Sequence, residues 1–210
     1  MKRRTFMHGL VAVPVLAYAR PDTLPLRRAT FEEVGNSVLV TMTLPALFRR
    51  YDREALASID SGFDTTIHYV VKVWQHGKNR LVDTREVMVK IRRDPWKKRY
   101  VVSTREDSGW TKRTFTERDE AIAAAVKLDR VRVCAASDLE RGDGGPYYFV
   151  TVLALRNPIV AKSDGDRSSG RGQGRDLEWF GRLVEVLAGE RAQAEEVVHV
   201  KTNAFYLVER

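Results

Sequence analysis

The stretch from Thr65 to Arg105 decides the fold, because it reads as three consecutive β-strands separated by two turns. The strands are predicted at 65–75, 82–93 and 99–106, with the sequences TTIHYVVKVWQ, VDTREVMVKIRR and RYVVSTRE. In the middle strand an apolar set alternates with a mostly charged one: Val87, Val89 and Ile91 against Met88, Lys90 and Arg92. This alternation is typical of an antiparallel sheet with one covered and one wet face. We therefore expect an antiparallel meander over 65–105.

Five further segments have the composition of strands. A hairpin is predicted over 30–44, because the dipeptide Gly35-Asn36 tolerates the positive φ of a tight turn. The others are a short strand at 110–115, a short edge strand at 131–134, a nearly apolar central strand at 147–156 and a closing strand at 196–208.

Three segments have helical spacing. The first is predicted over 45–61, ending before Gly62, and the second over 116–128, with Thr116 as its N-cap. The third begins at Asp176, after the Gly- and Ser-rich segment 161–175, which we expect to be a flexible loop.

The order of these elements favours an α+β fold with a predominantly antiparallel sheet and two or three packed helices. A β-sandwich with peripheral helices is the alternative. We expect 20–28 to be an extended segment and 29–210 to form a single domain, since the part after the loop is too short to bury a core alone.

Composition narrows the class of protein without naming a function. The chain has 210 residues, a net charge of +8 and 43% hydrophobic residues, as expected for a globular protein with one core. A mildly basic balance permits a polyanionic partner but does not require one, and nucleic acid is not the partner we expect. The single cysteine, Cys134, excludes an intramolecular disulfide and is expected to be buried.

Residues 1–19 have the order of a cleavable signal peptide: a basic start, a short apolar run and the motif Ala17-Tyr18-Ala19. Arg3 and Arg4, followed by Phe6 and Met7, resemble the twin-arginine export signature, and an ordinary Sec signal is the alternative. Ala17 and Ala19 are the residues that signal peptidase would recognise. We therefore expect export machinery and signal peptidase as partners, a periplasmic or secreted location, and a mature chain that does not span the membrane.

The block from Leu44 to Val160 resembles an uncharacterised family of proteobacterial envelope proteins, a domain of unknown function of the DUF4390 type. The likeness lies in Ser61-Gly62-Phe63 before a strand of the form I-x-Y-x-V-x-V-W, in the strand Arg99-Tyr100-Val101-Val102, and in a later Tyr-Tyr-x-Val strand. The resemblance implies an envelope location and supplies no catalytic residues. The N-terminal hairpin, the loop 161–175 and the final helix and strand lie outside it.

No motif in the sequence specifies a reaction, a metal or a cofactor, so we expect none. His68, His76 and His199 lack ligand spacing, and the segment 164–175 departs from a calcium loop at its sixth and twelfth positions. Three carboxylates in or near the meander leave a dispersed catalytic site open as a hypothesis: Asp83, Glu86 and Glu106. Whether the protein is an enzyme therefore stays open, and we lean towards a non-catalytic module that binds or scaffolds envelope components.

The segment 92–99 is the strongest candidate surface. It places five cations around a tryptophan at the second turn of the meander: Arg92, Arg93, Trp96, Lys97, Lys98 and Arg99. Such a turn attracts phosphates electrostatically while the ring stacks or inserts at an interface. Alternatively, it is a solvated hairpin end whose charge prevents aggregation. The expected partners are anionic polymers, lipid head groups or other envelope proteins.

Overall fold

A computed structural model describes residues 21–48, 52–107, 109–158 and 194–209. Within these ranges the chain forms a seven-stranded sheet, a three-stranded sheet and two α-helices. The strands are β1 (Leu26–Arg27), β2 (Thr30–Val34), β3 (Ser37–Thr43), β4 (Thr65–Gln75), β5 (Arg80–Asp94), β6 (Arg99–Glu106), β7 (Gly109–Phe115), β8 (Lys127–Ala135), β9 (Tyr148–Pro158) and β10 (Ala194–Thr202). The helices are α1 (Arg53–Asp60) and α2 (Arg118–Ala125).

The large sheet has the strand order β1-β10-β9-β4-β5-β6-β7 and is antiparallel except where β1 runs parallel to β10. The predicted meander is confirmed: β4 pairs with β5 from Thr65↔Ile91 to Gln75↔Arg80, and β5 pairs with β6. The predicted strand at 147–156 is also confirmed as an interior strand, because β9 lies between β10 and β4.

The small sheet has the order β2-β3-β8. Its β2–β3 pair is the predicted hairpin, with Gly35 in the left-handed region (φ +58°) where a side chain is disfavoured. The edge strand predicted at 131–134 exists but is longer, since β8 spans Lys127–Ala135 and pairs along the length of β3.

The two sheets and both helices share one hydrophobic core. Ile67, Tyr69 and Val71 of β4 are each fully buried in it, together with Ile59 of α1 and Ala121 of α2. The helices therefore complete the core rather than capping the ends of a sandwich, and the α+β prediction is confirmed.

The opposite face of the large sheet is less exposed to solvent than expected. Met88, predicted on the charged face of β5, is only 5% exposed, and His68 of β4 and Leu155 of β9 are buried on that face as well. The expectation of one wet face is therefore wrong at the centre of the sheet. The reason is the neighbouring β9, whose nearly apolar sequence contributes buried side chains to both faces.

Both described helices are shorter than predicted. The first segment is a 3₁₀ turn at Pro45–Leu47 and then α1, which begins where the Asp52 carboxylate accepts the N–H of Ala55. Thr116 is not the N-cap of the second helix, because the position before α2 is Glu117, which has extended backbone angles. This helix ends at Ala125, since the next residues continue into β8 and pairing with β3 overrides their local helical preference.

The chain ends also differ from expectation. The segment predicted as extended, 20–28, contains a 3₁₀ turn at Pro21–Thr23 before β1. The closing strand ends at Thr202, and afterwards only Phe205 and Leu207 make single bridges, to Tyr148 and Arg141. The predicted leader 1–19, the loop 161–175 and the helix beginning at Asp176 lie outside the described residues.

Candidate anion-binding surface

The surface formed by residues 92–99, which we name the basic tip, is the turn between β5 and β6 with its flanking strand ends. Trp96 at its apex is 93% exposed, and the side chains of Lys97, Lys98 and Arg99 are exposed beside it. The predicted surface residues therefore lie together, with the aromatic ring standing in solvent rather than folding back onto the sheet.

Hydrogen bonds from Asp94 order this turn. Its Oδ1 accepts the N–H of Trp96 at 3.0 Å and the N–H of Lys97 at 3.1 Å. Aspartate is favoured at the first position of such turns for this bond pattern. Lys98 follows in the left-handed region, with φ at +49°. The exposed ring is thus carried by a turn with a defined backbone.

The two arginines of the basic tip have different surroundings. Arg92 is exposed, and its Nε lies 3.9 Å from the Asp64 carboxylate, a solvent-screened contact of little energetic weight. Arg93 is half-buried, and its Nη1 donates to the carbonyl oxygen of Asp60 at 3.0 Å. Arg93 therefore anchors the tip to the end of α1, and Arg92 belongs to the exposed cations.

Asp60 holds three elements together beneath the tip. Its Oδ1 accepts the hydroxyl of Tyr100 on β6 at 2.8 Å, and its Oδ2 accepts Nη1 of Arg118 on α2 at 2.7 Å. The hydrogen bond to Asp60 raises the pKa of Arg118, while burial, followed by the same carboxylate, raises the pKa of Tyr100. Sequence inspection missed Asp60 and Arg118 because they lie 58 positions apart.

An open cleft of about 580 Å³ lies beside these contacts. Its lining consists of Arg93, Lys98, Tyr100, Thr116 and the start of α2 at 117–120. Arg93 and Arg118 are already bonded to Asp60, and 117–120 contributes the carboxylates of Glu117, Asp119 and Glu120. The cleft is thus poorly suited to an anion, whereas the outer surface of the tip is well suited to one.

Phe63 is a second exposed aromatic at this end of the sheet, and sequence inspection assigned it no role. It is 69% exposed, and only Trp96 exceeds it among the large apolar side chains of the described part. If the alternation of β4 were continued back to Phe63, this residue would lie on the same face as Ile67 and Tyr69, which are buried. The chain turns at Gly62 (φ +84°) and β4 begins only at Thr65, so the strand period does not extend back to Phe63.

The carboxylates considered for a dispersed catalytic site do not converge. Asp83 pairs in register with Val73, a core residue, whereas Glu86 lies three positions along β5 and therefore on the opposite face. Burial raises the pKa of Glu86 to about 7, and burial together with Asp107 raises that of Glu106. Asp83 instead pairs with Arg85 at 3.0 Å. The described residues thus do not join these groups in one site.

The remaining candidates have structural environments. His68 and His199 lie in strands and His76 in a turn, as predicted, and in the described ranges no three His, Cys, Asp or Glu side chains are grouped to hold a metal ion. Cys134 is buried, and burial raises its pKa to about 12. The segment 164–175, which does not fit a calcium loop, lies outside the described residues.

The other described tryptophans are less exposed than Trp96. Trp110 is 41% exposed, with Nζ of Lys90 5.2 Å from its ring centroid. Trp74 is half-buried and donates to Thr151 Oγ1 at 2.9 Å, while Trp179 lies outside the described residues. Trp96 thus differs from the two other described tryptophans in its greater exposure.

The residues of the predicted export signal lie outside the described residues: Arg3, Arg4, Phe6, Met7, Ala17 and Ala19. Among the described helices, none is long and apolar enough to cross a membrane.

Comparison with protein-family models identifies a match. A family model described as "Domain of unknown function (DUF4390)" matches residues 22–156. The matched region begins before Leu44, so the N-terminal hairpin lies inside it and the expectation that placed the hairpin outside was wrong. No curated protein and no solved structure matches the chain.

Proposed function

The chain belongs to this family of unknown function, and from that premise we propose that it is an exported cell-envelope protein that acts as a non-catalytic binding module. Its binding surface is the basic tip, and its ligand carries closely spaced phosphate or sulfate groups. The twin-arginine-type leader with Arg3, Arg4, Phe6 and Met7, followed by Ala17 and Ala19, supports export to the periplasm or the medium.

The observation that carries the binding proposal is the exposure of Trp96 on an ordered, cationic turn. Four cations surround it in solvent: Arg92, Lys97, Lys98 and Arg99. Exposing a tryptophan gives up the free energy that burial of its apolar surface would supply. The exposed ring therefore adds nothing to the free energy of folding. A partner that covers the ring and neutralises the cations would gain binding free energy from both contacts.

Binding is tested by retention on immobilised heparin, with two matched double variants. Lys97→Ala/Arg99→Ala removes one lysine and one arginine from the basic tip. Lys78→Ala/Arg80→Ala removes the same charges from the β4–β5 turn at the other end of β5, where both side chains are also exposed. We expect the first variant to elute at a clearly lower salt concentration than the second. Equal elution of the two variants would show that total charge, rather than the basic tip, determines retention.

Export is tested separately by fractionating cells that express the full chain. The variant Arg3→Lys/Arg4→Lys keeps the basic start of the leader but removes the paired arginines. We expect the protein to accumulate unprocessed in the cytoplasm. Continued periplasmic delivery of the variant would exclude dependence on the twin-arginine route, and cytoplasmic retention of the unaltered protein would exclude export.

A further inference from the structure

Two aromatic side chains from separate segments stand exposed at the same end of the large sheet. Trp96 is 93% exposed in the β5–β6 turn, and Phe63 is 69% exposed just before β4. Elsewhere in the described part, the exposed large apolar residues lie on other edges and ends, such as Leu26 on β1 and Leu81 at the start of β5.

The structure places the Phe63 segment alongside the basic tip. A Cβ atom at Gly62 would lie 3.6 Å from the carbonyl oxygen of Arg93, and the Arg93 guanidinium donates to the carbonyl oxygen of Asp60. Residues 60–64 therefore run beside the end of β5, so Phe63 projects from the same part of the surface as the turn that carries Trp96.

This surface is built before any ligand arrives. Asp94 fixes the turn through two backbone N–H groups, and Asp60 ties α1 to β6 and α2 through Tyr100 and Arg118. Because the surface is already ordered, covering it with a partner costs little conformational entropy.

We propose that Phe63 and the basic tip together form a docking surface for an anionic phospholipid bilayer, an inference that rests on the proposed role of the basic tip. Trp96 enters the head-group region, where tryptophan is favoured, and Phe63 places an apolar ring at the same depth. Arg92, Lys97, Lys98 and Arg99 contact the negative surface, where each cation strengthens association. The protein binds peripherally, with the end of its sheet against the lipid.

Charge and shape favour a bilayer over a strand of nucleic acid. A single strand needs a basic groove that follows its backbone. The cleft beside the tip instead presents Glu117, Asp119 and Glu120, whose carboxylates repel phosphates. The tip is a protruding turn with one exposed ring, Trp96, and Phe63 is exposed beside it. Such a protrusion can contact a broad surface but cannot enclose a strand.

The test uses co-sedimentation with vesicles of phosphatidylglycerol and phosphatidylcholine, compared with vesicles of phosphatidylcholine alone. The protein is purified from the cell fraction in which it accumulates, so that every variant is compared in the same processed form. We expect partitioning into anionic vesicles to fall about fivefold or more for Trp96→Ala and for Phe63→Ala. Leu81→Ala removes a partly exposed side chain from the opposite end of β5 and is expected to partition as the unaltered protein does.

Heparin retention separates failure of this inference from failure of the proposed function. Phe63→Ala is expected to leave heparin retention unchanged, because heparin offers no apolar phase, while it lowers vesicle partitioning. If Lys97→Ala/Arg99→Ala weakens heparin retention but the two aromatic variants partition like Leu81→Ala, the bilayer inference is wrong and the polyanion proposal stands. If the charge variant behaves like its matched control on both supports, both proposals fail.

A spectroscopic readout checks that the ring enters the lipid. Tryptophan emission should move to shorter wavelength with anionic vesicles, and Trp96→Phe should remove that change. An equal change with single-stranded DNA, lost in Trp96→Phe as well, would assign the ring to base stacking and overturn the bilayer as the partner.

Discussion

The guanidinium of Arg156 contacts the same carboxylate, Asp52, that caps α1. Arg156 lies on the interior strand β9 and is 3% exposed. Its Nη2 pairs with Asp52 Oδ2 and its Nη1 donates to the carbonyl oxygen of Leu47 at 2.9 Å, while Asp52 Oδ1 accepts the N–H of Ala55. One buried cation therefore fixes both the 3₁₀ turn and the start of α1 to the large sheet.

Replacing Arg156 with Met should lower the free energy of unfolding by about 3 to 5 kcal/mol, because it leaves the Asp52 carboxylate and the Leu47 carbonyl without this partner. The measurement is the urea midpoint followed by circular dichroism. Arg85→Met is the matched control, since Arg85 also bridges carboxylates but is partly exposed and should cost about 1 kcal/mol or less. If the two variants lost similar amounts of unfolding free energy, burial of the Arg156–Asp52 pair would not add to its contribution to stability.

Asp60→Asn should destabilise the protein by about 1 kcal/mol, because an amide still accepts the Tyr100 hydroxyl but no longer neutralises Arg118. Both partners of that ion pair are about one-third exposed, so the loss should shrink as salt is added. Thermal melts of both proteins at low and high salt provide the measurement. A loss that does not change with salt would mean that packing, rather than charge, accounts for the effect.

The pH dependence of stability should contain two opposing contributions from the outward face of β4 and β5. Burial, helped by Lys90, lowers the pKa of His68 from 6.5 to about 4. The unfolded chain thus binds this proton more readily, and stability falls by about 3 kcal/mol as the pH falls from about 6.5 to 4. Burial raises the pKa of Glu86 from 4.5 to about 7, so its contribution increases stability as the pH falls from about 7 to 4.5.

Single substitutions separate these contributions. Measured by urea unfolding between pH 7 and pH 4.5, His68→Gln should gain stability relative to the unaltered protein as the pH falls. Glu86→Gln should lose stability relative to it over the same range. Parallel pH profiles for all three proteins would contradict both assignments.

Phe31 and Phe205 should couple in a double-mutant cycle by about 1 kcal/mol. Their ring centroids lie 4.1 Å apart at an interplanar angle of 22°, which joins β2 of the small sheet to the segment after β10. Each alanine variant should cost about 3 kcal/mol, and the double variant less than the sum. Unfolding free energies of the four proteins provide the cycle, and strict additivity would show that the stacked rings do not interact beyond their separate burial.

Local sequence predicted those elements whose signals are contained in a few consecutive residues. The alternation through Val87, Val89 and Ile91, and turns such as Gly35-Asn36, fixed the meander and the hairpin, because period two and positive φ depend on neighbouring positions alone. The charge and aromatic content of the basic tip was visible in the same way. Helix ends were predicted less well, since pairing of β8 with β3 ended α2 earlier than its composition indicates.

The sequence by itself determined an α+β body and a cationic turn with a tryptophan, and it predicts a leader of export type. Only the tertiary structure decided which charges remain available and which aromatics share a surface. The Arg93 guanidinium donates to the carbonyl oxygen of Asp60, so Arg93 is not one of the exposed cations. Phe63, in contrast, is exposed beside the basic tip. Asp60 and Arg93 are 33 positions apart in the sequence. Local periods and motifs depend only on neighbouring residues, so they do not show which distant groups come into contact when the core packs.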